Sequence, residues 1–497
     1  MAEVITVEQL DAINLKVTAD PGIRQEIQQF FSFRPANYQF TPSFKNKIWD
    51  GFIRLYSPMR PTLLVGLMKK LIIFAEDRGY DINAPDHLIH GEDGIADDYG
   101  ITLAKEVNCK FVPRDYQNRY VVDALRDSRS LSLSPTSSGK SLIIYLIQQH
   151  YYKNLNHRTL IIVPTISLVH QMEGDFIDYG CDPNAIHKIK GGAEKNTDRP
   201  IVISTWQSLV KLPKEWFGQF KVVLGDEAHQ FQAKSLQKIM SMMPQCYYRH
   251  GFTGTLKTEE SKTHQLVLEG CFGSVRQHVT TKNLIDDGTV ADFDVKAIVL
   301  SHNKEIRKGF KKAINKLENN KKFPAEREFL VNCERRNIFL RNLLWSLEGQ
   351  NNLVLFDLVE KHGKLLEPLF SKEGRELHFI HGGVKGEERE RIRHLVENDP
   401  EKKHDILASF GTFSTGVNLK RLDNVIFAFG GKSEIKVLQS VGRALRKGNG
   451  SDKAVLYDIS DDLSSGAYTN YTLDHFRKRI EMYGDQQFKM KIFTVEI

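Results

Sequence analysis

Two series of short, β-branched apolar runs constrain this chain more than any other feature. The first reads TLIIVP (159–164), IVIST (201–205), KVVLGDE (221–227) and YYRHGFTGT (247–255). The second reads KAIVL (296–300), NLVLF (352–356), HDILASF (404–410), NVIFAFG (424–430) and KAVLYDIS (453–460). Continuous apolar strands separated by amphipathic helical stretches mean parallel sheets covered on both faces. Two series imply two α/β domains, and the turn-rich TTKNLIDDGTVADFDV marks the break between them. The expected fold class is α/β, with two tandem parallel-sheet domains at 105–285 and 286–465. A small N-terminal α+β accessory domain (1–100) and a C-terminal helical extension (466–497) complete the division.

No apolar run reaches 18 residues, so no membrane span is expected. The start of the chain lacks a basic region followed by an apolar one, which speaks against a secretory signal. Five scattered cysteines without a C-x-x-C pair argue against a zinc or iron–sulfur site and against a disulfide framework. They fit a reducing, intracellular setting.

The net charge of +7 points toward a polyanionic partner, and its distribution says more. Residues 30–70 carry seven Lys or Arg and the single acid Asp50, whereas 71–100 carry eight acids and only Arg78. Aromatic residues from Phe30 to Tyr56 interleave with the basic ones, a composition suited to base stacking and phosphate contact. Most of these aromatics read as the core of the module itself. Lys45, Lys47 and Arg54 are its candidate nucleic-acid contacts. KEIRKGFKKAINKLENNKK (304–322) places Ile306, Phe310, Ile314 and Leu317 on one helical face and reads as a surface helix with a solvated basic side, the alternative being a nucleic-acid contact.

LSLSPTSSGKSLIIYL (131–146) reads strand, loop, helix, the context of a phosphate-binding loop. Gly139 permits close backbone approach, Lys140 reaches the β- and γ-phosphates, and Ser141 offers a hydroxyl to Mg²⁺. The N-terminus of the helix that follows faces the anion. Ser134 and Ser137 stand outside the strict G-x-x-x-x-G-K-[ST] pattern, and this run alone fits a phosphate loop or a capping turn equally. The strand KVVLG runs into Asp226-Glu227-Ala228-His229. Acids at the C-terminal end of a parallel strand lie near the ligand crevice, where Asp226 can hold Mg²⁺ and Glu227 can polarise water. Gln117 carries an amide able to read an adenine edge. In QSVGRALR, Gln439, Arg443 and Arg446 share a helical face at i, i+4 and i+7, with guanidinium groups suited to phosphate.

With these motifs in this order, the chain resembles the superfamily 2 helicases over about residues 110–460. RDYQ resembles the adenine-reading segment, SPTSSGKS motif I, VPTISLVHQ motif Ia, STWQSL motif Ib and DEAH motif II. TGT, LVLFDLVEKHGKLL, SFGTFSTGVNLK and QSVGRALR resemble motifs III to VI, and HGGVKGEERERI the segment after motif IV. The resemblance implies two RecA-like domains with ATP and Mg²⁺ between them. Gln117, Thr136, Ser137, Ser138, Gly139, Lys140, Ser141 and Gly416 would bind nucleotide, with Ser141 and Asp226 on the metal. Lys140, Asp226, Glu227, Gln439, Arg443 and Arg446 would act in hydrolysis, the two arginines as fingers. Pro164, Thr165, Thr205, Gln207, His381, Gly382, Thr412 and Ser414 would track the nucleic-acid backbone. His229, Thr253 and Thr255 would couple that track to ATP.

FFSFRPANYQFTPSFKNKIWDGFIRLYSP (30–58), PKEWFGQF (213–220) and the C-terminal MYGDQQFKMKIFTVEI are similar to phage recombination helicases. That likeness implies a DNA partner of branched form, with fork regression, junction branch migration and D- or R-loop dissociation as activities. An RNA or RNA–DNA hybrid helicase, or a double-strand translocase without strand separation, is the alternative. It further implies RNA met in R-loops, single-strand-binding or recombination proteins as partners, a monomer, and work in the host-cell cytoplasm. Asn418 stands where many relatives carry Asp.

Overall fold

The computed structural model describes residues 3–35, 38–91, 94–135, 137–189, 194–254, 256, 259–287, 292–399, 402–416, 422–429, 453–485 and 488–497. The chain divides into two compact units, Met1–Val279 and Thr280–Ile497. The division falls slightly before the boundary expected at 285.

The first unit begins with a four-stranded sheet. Strands β1 (Val4–Gln9) and β2 (Asn14–Thr18) form a hairpin. After the short pair β3 (Ser32–Phe33) and β4 (Ile53–Arg54) come β5 (Thr62–Leu64) and β6 (Asp81–Asn83), giving the order β5-β2-β1-β6. Period-2 alternation turns Ile5, Val7, Leu15 and Val17 inward against Ile23, Ile27, Phe31, Tyr56, Leu71 and Phe74. Phe31 and Tyr56 thus belong to the module's core, whereas Phe40 stays 64% exposed.

This module packs on the α/β part of its unit. Ala12 N–H donates to Pro244 O at 2.9 Å, and the Arg129 guanidinium donates to Ala12 O. Lys69 pairs with Asp127 at 2.5 Å and Lys70 with Glu269 at 3.1 Å. At Gly66 an added Cβ would lie 2.1 Å from Glu269 O, so only glycine permits the approach. Two of the seven basic residues between 30 and 70 are therefore spent inside the protein.

The α/β part carries β7 (Arg129–Leu133), β8 (Thr159–Val163), β9 (Ile186–Ile189), β10 (Ile201–Thr205), β11 (Val222–Asp226), β12 (Tyr248–Thr253) and β13 (Val275–Arg276). They form an all-parallel sheet in the order β13-β7-β12-β11-β8-β10-β9. Every residue of β8, β10 and β11 is buried, as a sheet covered on both faces requires. The helix Lys140–Leu155 is buried on most sides, with Leu142 through Leu146 all in the core.

The second unit repeats the architecture. Its strands are β14 (Asp292–Ser301), β15 (Asn352–Phe356), β16 (Glu376–Ile380), β17 (His404–Ser409), β18 (Asn424–Phe427), β19 (Lys453–Asp462) and β20 (Lys489–Glu496). They are parallel in the order β16-β17-β15-β18-β19-β14-β20. The C-terminal segment, expected as a helical extension, holds the helix Tyr471–Asp485 and then β20, which pairs with β14 from Asp294↔Lys489 to Ser301↔Glu496. Alternation in KMKIFTVE is faint because β20 is an edge strand, largely exposed on both faces. The helix expected over 304–322 ends at Ile314, with Asn315 as its C-cap. Phe310 and Ile314 are buried, and Leu317 falls beyond the helix and is exposed.

Candidate nucleotide and nucleic-acid sites

The loop after β7 is held by its own serines. Ser134 N–H donates to Thr253 O at 2.8 Å, carrying the β7–β12 ladder one residue further. The Ser134 and Ser138 hydroxyls lie 2.6 Å apart, and Ser138 Oγ donates to Pro135 O at 2.7 Å. Ser137 adopts φ 69° and Gly139 φ 77°. A left-handed backbone costs a residue with a Cβ roughly 1–2 kcal/mol, so Ser137 keeps the conformation of the usual glycine under strain.

Gln117 reaches this loop through a capping box on the helix Asp115–Asp127. Its Oε1 accepts from Arg114 N–H at 2.8 Å and its Nε2 donates to Ser138 O at 2.9 Å. A Cβ on Gly139 would stand 2.3 Å from that Nε2. The Tyr116 hydroxyl donates to the same Ser138 carbonyl at 3.0 Å. This brace was not read from the sequence, although Tyr116 adjoins Gln117 in the same motif. Lys140 Nζ donates to Ser134 O at 3.2 Å and Pro135 O at 3.3 Å, and Ser141 Oγ lies 3.1 Å from the Tyr179 hydroxyl.

Beside the loop, β11 delivers the acids. A Cβ on Gly225 would come within 2.8 Å of the Phe231 ring, so the strand reaches its end only with glycine there. Asp226 is buried, and its Oδ1 has no hydrogen-bond partner among the described residues. Burial first, and then the Glu227 charge, pushes the Asp226 carboxyl up to about 6, while Lys140 pulls it down. A buried, unpartnered carboxylate oxygen next to a second carboxylate is a place for a cation, so Asp226 fits the Mg²⁺ role expected of it. Glu227 sits at φ 49°, ψ 51°, and its Oε2 is 3.3 Å from His229 Nδ1. That nitrogen is also 3.1 Å from Thr253 Oγ1. His229 therefore joins the ends of β11 and β12.

The expected backbone-tracking residues of this unit leave the same sheet edge, since Val163 of β8 stands opposite Thr205 of β10. Pro164 and Thr165 are half-buried and Gln207 is exposed. Thr165 caps the helix Ile166–Tyr179, accepting from Leu168 N–H at 3.3 Å. Thr205 is buried, with its hydroxyl 3.1 Å from Ser208 Oγ. It positions the turn, while Gln207 presents the accessible polar group.

In the second unit His381 follows β16, and the helix Phe410–Gly416 follows β17; Ile380 and Ala408 stand opposite each other. Arg389 ties down the His381 turn by donating to His381 O at 3.2 Å and Gly382 O at 3.1 Å. Gly382 is exposed. Thr412 is buried, with Ser409 Oγ donating to its hydroxyl at 2.8 Å. Ser414 and Gly416 lie on the backbone of this helix. Thr136, Thr255, Gln439, Arg443 and Arg446 lie outside the described residues.

On the N-terminal module, Lys45 and Lys47 are exposed, and Lys45 Nζ stands 6.0 Å from the centre of the exposed Phe40 ring. Arg54 is engaged by Asp50, one of whose oxygens is 3.1 Å from Arg54 Nη1. The Arg54 hydrogen bond holds Asp50 down to about 2.

The family described as "Type III restriction enzyme, res subunit" matches residues 110–258. "DNA helicase UvsW, N-terminal" matches 4–84, and "Helicase conserved C-terminal domain" matches 335–448. The ATP-dependent DNA helicase uvsW of Enterobacteria phage T4 is 34% identical over 98% of this chain and 98% of its own length. The crystal structure of T4 UvsW is similar with a TM-score of 0.50, at 31% identity over 99% of each chain. The DNA 3'-5' translocase XPB2 of Sulfurisphaera tokodaii is 29% identical over 36% of this chain and 38% of its own.

Proposed function

The chain belongs to the UvsW family of ATP-dependent superfamily 2 DNA helicases, and on that premise we propose that it drives the remodelling of branched DNA. Forks, four-way junctions, D-loops and R-loops are its substrates in this reading. The observation that carries the motor assignment is the joined edge of the first sheet: the Lys140 loop, the cation-ready Asp226, and the Glu227–His229–Thr253 chain.

Lys140 binds the β- and γ-phosphates, and the N–H groups at the start of its helix cradle them. Gln117, whose amide keeps a second N–H, contacts adenine. Ser141 and Asp226 would hold Mg²⁺, which would neutralise the developing phosphate charge. Glu227 orients water and accepts its proton. Arg443 and Arg446 serve as arginine fingers toward the γ-phosphate, and Gln439 acts with them in hydrolysis. Arginine fingers contribute roughly 10³–10⁵ in rate in related phosphoryl transfer. His229 and Thr253 relay the state of the phosphate to the edge bearing Thr165 and Gln207. Lys45 and Lys47 grip phosphate outside the motor, and their contribution weakens with salt as counterions are released. Such a motor works in the host-cell cytoplasm, in keeping with five free cysteines.

The test compares ATP hydrolysis and strand displacement on forked DNA, four-way junctions, linear DNA and RNA duplexes of matched length. Branched DNA is expected to stimulate most. Stronger stimulation by linear RNA would overturn the DNA-branch reading. Stimulation without displacement would indicate a double-strand translocase. Charge reversal at Lys45 and Lys47 should lower affinity for junctions while leaving DNA-independent hydrolysis intact.

A further inference from the structure

Away from the nucleotide edge, Glu376, His378 and His404 bring ligand atoms close enough to share a cation, the one such group among the described residues. Strand register assembles them. Glu376 and His378 are two residues apart on β16 and face the same way. Glu376 stands opposite His404, the first residue of β17, and opposed residues share a face. His378 Nε2 is 3.1 Å from His404 Nδ1. The two Glu376 oxygens lie 3.8 Å from the first nitrogen and 3.7 Å from the second. Donors at Zn–N and Zn–O distances in a tetrahedron are about 3.3–3.5 Å apart; the three ligand atoms here lie within 4.8 Å of one another, and rotation of the half-exposed Glu376 carboxylate would bring one oxygen toward both nitrogens.

The surroundings suit a cation. Both imidazoles are buried, while the Glu376 side chain is 50% exposed. Burial lowers the His378 pKa; Glu376 and Glu388 oppose this, and His404 and Arg391 reinforce it. Neutral imidazole is the ligating form. The neighbouring guanidinium groups already have partners: Arg375 binds Asp405 at 2.6 Å and Arg391 binds Glu388 at 2.7 Å. The His404 N–H donates to Asn351 Oδ1 at 2.9 Å, fixing the start of its strand.

We propose that Glu376, His378 and His404 bind one divalent transition-metal ion, Zn²⁺ in preference, with water in the fourth position on the exposed carboxylate side. Two imidazoles and a carboxylate are a zinc donor set, whereas Mg²⁺ favours an octahedron of oxygens. The ion clamps edge strand β16 to β17 at their N-terminal ends, opposite the edge that carries His381. Here β16 has a partner on one side only, so the clamp acts where the sheet is weakest. The expectation against zinc rested on cysteines, and these three ligands have no spacing that a cysteine or His-x-x-x-His search would find.

The experiment uses the full chain, stripped with chelator and titrated with Co²⁺ and Zn²⁺ in the presence of excess Mg²⁺. One equivalent of Co²⁺ should give a tetrahedral visible absorption band that Zn²⁺ abolishes, and Zn²⁺ should raise the melting temperature. His378→Ala should abolish the band. Glu376→Gln, at a half-exposed position, should weaken Co²⁺ binding roughly 10-fold or more with unchanged metal-free melting and Mg²⁺-dependent ATP hydrolysis. Absence of the band in the wild-type chain, or equal binding by wild type and Glu376→Gln, would overturn the proposal and leave a hydrogen-bonded histidine pair.

Discussion

In the first unit, Arg249 is buried and donates to three main-chain carbonyls, Cys246 O at 2.9 Å, Met240 O at 3.2 Å and Met243 O at 2.6 Å. In the second, Arg479 is equally buried but meets both oxygens of Asp458 at 2.8 Å, with the Tyr483 hydroxyl on the same carboxylate at 2.9 Å. Arg336 likewise binds Asp461 at 2.7 Å, and His302 lies 3.0 Å from that carboxylate. The pKa shifts follow. Burial lowers Arg249, and burial with the nearby Arg249 charge lowers Arg129 to about 9. Burial opposes the charge of Arg479 too, but Asp458 and Tyr483 reverse it and raise its pKa. Burial pushes Asp461 up, and Arg336 and His302 more than offset it. In the second unit the buried arginines Arg336 and Arg479 close on carboxylates. The first satisfies its arginines with carbonyl dipoles around the end of the helix Lys234–Ser241, and leaves Asp226 Oδ1 for a partner from outside.

The largest test of this contrast concerns chemistry. Lys140→Ala and Glu227→Gln in the first unit, and Arg443→Ala in the second, should each cut DNA-stimulated ATP hydrolysis by roughly 10³-fold or more, with circular dichroism unchanged. Near-normal turnover in any of them would remove that residue from the proposed site. Next comes stability in denaturant. Arg479→Met leaves Asp458 buried without its cation and should cost about 3–5 kcal/mol, and pairing it with Asp458→Leu should recover most of that. Arg249→Met removes a charge with no carboxylate partner among the described residues and should cost about 1–3 kcal/mol for the carbonyls it frees. Equal losses from the two single variants would erase the contrast.

Acid sensitivity sharpens it further. Burial holds His250 and His362 neutral, each lowered to about 3, with Arg129 and Arg336 respectively adding to the effect. The unfolded chain takes up these protons near pH 6.5. The stability they support is therefore complete above that pH and is lost as pH falls from 6.5 toward 3. Both ring nitrogens of His362 lack hydrogen-bond partners among the described residues. His362→Leu should then flatten the acid limb of a melting-temperature profile at little cost at pH 8. His250 is bonded at 3.0 Å to both Ser130 and Tyr151, and His250→Leu should cost about 1–3 kcal/mol at any pH. The smallest effect belongs to the loop: Ser137→Gly should stabilise by roughly 1 kcal/mol or less, relief of the left-handed strain offset by added chain entropy.

The strand series was legible because parallel strands covered on both faces must be apolar throughout, and their C-terminal ends must be where charged residues stop the run. Asp226 and Glu227 stand out that way, Lys140 through the strand–loop–helix pattern around it, and His229 and Thr253 only through the family resemblance. Edge strands carry no such demand, which hid β20 and β16. Only the tertiary fold decided that Lys69 and Lys70 are spent on carboxylates of their own chain, that Thr205 and Thr412 turn their hydroxyls inward, and that Glu376, His378 and His404 converge. Local sequence specifies period and motif. Which charge meets which depends on strand register and packing between distant segments, and no periodicity encodes that.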